Sequence, residues 1–141
     1  MSHFGVLSYK GTGHLNPLIT LSRQLVARGH RVTFFHDAEL ETRIRPHGLG
    51  FFPIAASNDD SGENMCGSRR QKPSSAVPLL RYRVRRTIND MEGFLREVPQ
   101  ALTSEGVDIL IVDELVLAGP TIAEMLRLPY FVISTSVPHN F

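Results

Sequence analysis

The apolar positions along this chain switch repeatedly between two textures: short continuous runs and stripes at helical spacing. Phe4–Tyr9 is an apolar run that ends in Lys10, Gly11, Thr12 and Gly13, which predicts a buried strand and a glycine-rich turn. Leu18, Leu21, Leu25 and Val26 then recur at helical spacing. Asn16 suits the N-cap, Pro17 the first helical position and Gly29 the residue just past the end. Arg31–His36 is a second strand, rich in β-branched and aromatic residues. Ala38–His47 reads as a short helix stopped near Gly48, and Gly50–Ala55 as a third strand. Ala56–Val77 holds Ser, Asn, Asp, Gly and Pro with few large apolar residues, and reads as a long loop of the kind that often carries function. From Leu80 onward, Val84, Ile88, Met91, Leu95, Val98 and Leu102 mark one long amphipathic helix, closed by Gly106. Asp108–Val112 is a fourth strand, Ala118–Leu126 a helix and Tyr130–Ile133 a fifth strand.

Strands that alternate with helices through the whole chain predict an α/β fold: a doubly wound parallel sheet with helices on both faces and right-handed crossovers. The expected strand order is 3-2-1-4-5. Strands one and four are then neighbours, and the chain reverses direction between them, where such sheets bind ligands at their carboxyl ends. No helix follows the fifth strand, so the 141 residues are expected to be one domain of something larger.

Composition narrows the function classes. Apolar residues are 42% and charged residues 21%, an ordinary globular mix. A net charge of +1 argues against a nucleic-acid partner, which phosphate neutralisation would make far more basic. The single cysteine, Cys66, excludes an internal disulfide and a multi-cysteine zinc site. The apolar runs fall far short of the ~20 residues that span a bilayer. Met1–Phe4 does not start a secretion signal, which makes a cytoplasmic location the expectation. Segment 69–86 holds seven basic residues (Arg69, Arg70, Lys72, Arg81, Arg83, Arg85, Arg86) and no acid. It reads as a solvated loop and helix face, with weak contact to an anionic membrane surface as the functional alternative.

Two residues carry the chemistry. The turn from Gly11 to Pro17 is neither a Walker loop nor a dinucleotide fingerprint, because Asn16 stands where the third glycine belongs. It does place His14 between a strand's carboxyl end and a helix start. The positive helix end disfavours an imidazolium there, and a neutral ring in a cleft can serve as a general base. Asp113 lies directly after the run Asp108–Val112, at the end of strand four. Adjacent strands lie ~4.8 Å apart, so His14 and Asp113 would share one crevice. A carboxylate on one ring nitrogen fixes the tautomer and stabilises the imidazolium formed at the other. No serine or cysteine nucleophile accompanies the pair, so the substrate would supply the hydroxyl. Glu114 is a rival acid that alternation turns away from Asp113. His36, at the end of strand two, could line the crevice, though a solvated position suits it better. His3, His47 and His139 lack ligand spacing, His30 reads as structural, and a metal site built from His14, His36 and Asp113 is disfavoured. Ser134, Thr135 and Ser136 follow strand five as polar-ligand contacts or backbone caps.

These residues carry a resemblance. Gly11–Phe34 is similar to the opening of UDP-sugar-dependent glycosyltransferases of the GT-B type, the family 1 enzymes, with bacterial macrolide and zeaxanthin glucosyltransferases nearest in style. Asp108–Ser136 resembles the acceptor-domain segment that holds their aspartate. The resemblance implies one Rossmann-like half of a two-domain enzyme. It makes His14 the base that deprotonates an acceptor hydroxyl and Asp113 its partner. It places Gly13 and Thr12, with Thr135 or Ser134, near the donor, and Met91, His139 and Phe141 at the pocket of a small, hydrophobic acceptor. Transfer would invert the anomeric carbon, with a UDP-sugar as co-substrate and no metal or other cofactor. The donor-binding C-terminal domain would be supplied by the same or another chain, and these 141 residues alone would have negligible activity. A catalytically silent binding module, or one subunit of a split enzyme, is the alternative.

Overall fold

The computed structural model describes residues 1–54 and 76–135. Most of the expected loop Ala56–Val77, with Cys66, Arg69, Arg70 and Lys72, lies outside the described residues, as do Ser136, His139 and Phe141. Five parallel strands form one sheet in the order β3-β2-β1-β4-β5: β1 His3–Leu7, β2 Arg31–His36, β3 Gly50–Pro53, β4 Ile109–Asp113 and β5 Tyr130–Ile133. The Rossmann-like topology is the one that the apolar pattern predicts. Between them run α1 (Thr12–Ala27), a short α2 (Glu41–Ile44), α3 (Ala76–Glu105) and α4 (Ala118–Leu126). The stretch expected as one helix from Ala38 to His47 is broken into α2 flanked by 3-10 turns. Pro46 stands at the start of the second of these turns, where it removes a backbone donor.

Alternation along the strands divides the core into two faces. Phe4, Val6, Val32, Phe34 and Ile111 pack against Leu15, Leu18 and Ile19 of α1. Leu7, Phe35, Leu110 and Val112 pack on the other face against Val98 and Leu102 of α3 and Ile122 of α4. Fully buried side chains such as Leu18 and Leu102 each contribute about 1.5–3 kcal/mol. A side chain added at Gly119 would run into Val112, so α4 seats directly on β4 at the residue before Asp113. That seat fixes the strand end that the site uses.

The long helix α3 is thirty residues, or about 45 Å. Its carboxyl end meets the start of β1, where the Glu105 carbonyl lies 3.0 Å from His3 Nδ1. The strands are only four to six residues long, so the first half of α3 overhangs their carboxyl ends. The apolar stripe that buries Val98 and Leu102 continues there as Val77, Leu80, Val84 and Ile88, all exposed. Among the described residues, no helix is long and apolar enough to cross a membrane.

Candidate functional site

The site is built where β1 and β4 lie side by side. Their pairing runs to Leu7↔Val112, which leaves Asp113 at the tip of β4 beside the exit from β1. The chain then enters α1 earlier than the sequence suggests. Gly11 is the extended N-cap, and its carbonyl accepts hydrogen bonds from the backbone N–H groups of His14 at 3.0 Å and Leu15 at 2.9 Å. Asn16 is therefore not the cap, and Pro17 sits inside the helix. Glycine costs a helix about 1 kcal/mol, which makes Gly11–Gly13 read as a turn. Burial of Leu15 and Leu18 against the sheet overrides that preference. The consequence is geometric: His14 stands in the first turn of a helix rather than in a loop.

His14 Nδ1 lies 3.1 and 3.0 Å from the two carboxylate oxygens of Asp113. Asp113 is fully buried, and its Oδ1 also accepts the backbone N–H of Leu115 at 2.9 Å. A bare ring nitrogen facing a buried carboxylate would set lone pair against lone pair. Nδ1 therefore carries the hydrogen and donates it to Asp113, which leaves the lone pair on Nε2. Among the described residues nothing hydrogen-bonds Nε2. The His14 side chain is 19% exposed, so the crevice reaches it. Tyr9 meets the ring edge-on at 5.5 Å between centroids. Such a pair adds about 0.5–1.5 kcal/mol and fixes the ring plane.

The other expected residues divide. Thr135 comes directly to the pair, with its Oγ1 2.6 Å from His14 Nδ1. Ser134 does not: its hydroxyl donates to Glu114 Oε2 at 2.6 Å. Thr12 accepts a hydrogen bond from Arg43 at 3.3 Å. A Cβ added at Gly13 would meet no atom of the described residues within 4 Å, so among them the space before it is open. Met91 packs with the core on the α3 side rather than against the dyad. His139 and Phe141 lie outside the described residues.

His36 is not solvated at its strand end. It is buried, its Nδ1 accepts the backbone N–H of Asp37 at 2.7 Å, and a hydrogen bond joins it to the Ser8 backbone. Burial pushes its pKa down to about 4, the Ser8 bond opposes the shift and the Lys10 charge adds to it. It is a neutral, self-contained core residue and does not join His14 and Asp113. Sequence reasoning missed Tyr9, Arg43 and the Leu115 N–H. Only Tyr9 carried a signal, as an aromatic residue two positions past a strand that ends beside the crevice.

A cavity of about 480 Å³ opens at the opposite end of the sheet, lined by residues that include His30, Arg31, Arg45 and Glu105. Its arginines are already paired, Arg31 with Glu105 at 2.6 Å and Arg45 with Glu41. It shares no residue with the dyad.

Comparison with known proteins agrees with this architecture. Residues 6–139 match the glycosyltransferase family 28 N-terminal domain, where the sequence resemblance pointed to family 1. A zeaxanthin glucosyltransferase of Pantoea ananas is 33% identical across 99% of this chain, which spans 32% of that protein. A sterol 3-beta-glucosyltransferase of Eremothecium gossypii is 34% identical across 98% of this chain and 11% of its own length. The crystal structure of the kitacinnamycin glycotransferase superposes with a TM-score of 0.72 at 25% identity, covering 95% of this chain and 30% of that one. The chain thus spans about a third or less of these relatives, and it belongs to the glycosyltransferase family 28 N-terminal domain family, with the fold of one half of a GT-B-type glycosyltransferase.

Proposed function

We propose that this domain is the acceptor-binding half of an inverting glycosyltransferase that moves a hexose from a UDP-sugar to the hydroxyl of a small hydrophobic molecule. The observation that carries the reading is the His14 ring at the carboxyl ends of β1 and β4: Nδ1 is tied to a buried acid, and Nε2 has no hydrogen-bond partner among the described residues. His14 Nε2 takes the proton from the acceptor hydroxyl as the oxygen forms its bond to the anomeric carbon. The bond from that carbon to the UDP phosphate breaks, and its electron pair leaves with UDP. Attack from the face opposite the leaving group inverts the centre. Asp113 stabilises the imidazolium until the proton is released, and proton transfer to His14 as general base contributes about 10²–10⁴-fold. No step in this scheme needs a metal. The donor is held by a C-terminal domain, and the open space before Gly13 supports a close approach by the donor there.

The exposed stripe Val77, Leu80, Val84 and Ile88 overhangs the same end of the sheet and supports an apolar acceptor. The named activities of the relatives, on zeaxanthin and on sterols, point the same way. Arg81 and Arg85 are exposed on the same half of α3 and support weak contact with an anionic lipid surface. The test is to incubate the full-length protein with UDP-hexoses and a panel of carotenoid, sterol and phenolic alcohols, and to read the product by mass and anomeric coupling. A glycoside of inverted configuration is expected. A product of retained configuration, or no product with any pair, would overturn the reading.

A further inference from the structure

The hydroxyl of Thr135 is nearer to His14 Nδ1, at 2.6 Å, than either oxygen of Asp113. The register explains its arrival: Asp113 pairs with Ile133, and Thr135 lies two residues further on the same face. One ring nitrogen thus faces three oxygens supplied from two strand ends. A carboxylate can only accept a hydrogen bond, whereas a hydroxyl can donate or accept. Asp113 turns two acceptor oxygens to the ring, so the hydrogen sits on Nδ1, and Thr135 is the group that adapts, with its oxygen accepting. A single acceptor would let the ring pivot about the Nδ1–Asp113 line. A second acceptor from another strand fixes the orientation, and a ring flip would set carbon against both oxygens.

We propose that Thr135 is a positioning residue for His14: its hydroxyl oxygen, together with Asp113, holds the hydrogen on Nδ1 and keeps the bare Nε2 turned into the crevice. The proposal rests on the reading of His14 as the base. Sequence reasoning set this hydroxyl beside the sugar donor, whereas the geometry gives it a place on the ring.

The test is nitrogen NMR of the full-length protein labelled in its histidine rings, with the His14 signals assigned by their loss in His14→Ala. Wild type and Thr135→Ser should both show the Nδ1–H form. Thr135→Val, which keeps the shape and removes the acceptor, should raise the share of the Nε2–H form severalfold. It should also lower kcat about tenfold, the effect of one hydrogen bond to a charged group, with the acceptor KM within about twofold. If the valine variant does not fold, Thr135→Ala is held to the same criteria. Valine spectra that superimpose on wild type, or a serine variant that behaves like valine, would overturn the proposal. A tautomer shift in a protein whose His14→Ala form still turns over normally would support the hold on the ring while removing the base reading.

Discussion

The two ends of the sheet each hold a histidine by side-chain hydrogen bonds, and the sheet treats them differently. At the amino ends of the strands, His3 is fully engaged: Nδ1 meets the Glu105 carbonyl at 3.0 Å and Nε2 meets the Thr33 hydroxyl at 2.8 Å. Its own backbone N–H donates to Asp108 at 2.8 Å. At the carboxyl ends, His14 has three oxygens gathered on Nδ1 and, among the described residues, none on Nε2. A ring with both nitrogens satisfied is a structural clamp, because any reaction at it first breaks a buried hydrogen bond. A ring with one nitrogen tied and one bare is poised for proton transfer. What separates the two rings is the distribution of their partners, and that distribution is what supports the proposed role of His14.

The comparison can be broken by measuring folding stability at three histidines. The largest effect belongs to His36, which belongs to neither class. Above pH 6.5 it is neutral in folded and unfolded chains alike and its contribution is complete. Between pH 6.5 and about 4 the unfolded chain binds a proton that the folded chain refuses, so stability falls as pH falls. The expected loss by pH 4 is about 3 kcal/mol. His36→Gln should remove that part of the acid slope, and denaturant titrations from pH 7 to 4 measure the difference between the two proteins. His3→Ala strands the Thr33 hydroxyl and the Glu105 carbonyl at the amino end. It should cost about 2 kcal/mol at neutral pH by chemical denaturation. His14→Ala also removes a partner of the buried Asp113, but the ring is partly exposed and its loss opens that carboxylate to water from the crevice. It should therefore cost less than His3→Ala, about 1 kcal/mol. A His14 variant as destabilised as the His3 variant would erase the distinction between clamp and base.

Much of this was legible in the sequence, for physical reasons. The continuous apolar runs at Phe4–Tyr9 and Asp108–Val112 are short enough for strands buried on both faces, and their alternation with helices points to a doubly wound parallel sheet, for which 3-2-1-4-5 is a common order. The pairing of His14 with Asp113 was legible because both follow such runs, and neighbouring parallel strands bring their ends together. The start of α1 was not, because local preference favours Asn16 as a cap while tertiary burial of Leu15 moves the first turn forward. The destinations of Ser134 and Thr135 were not legible either. Adjacent hydroxyls point to opposite sides, and only the register Asp113↔Ile133 decides which one reaches the ring and which one reaches Glu114.

The measurement that bears most directly on His14 as the acceptor's base is a single-turnover comparison of wild type and His14→Ala in the full-length enzyme, with acceptor affinity measured on the same samples. The chemical step should fall by about 10²–10⁴-fold while the acceptor Kd stays within about threefold. A variant that transfers sugar at close to the wild-type rate would contradict the assignment.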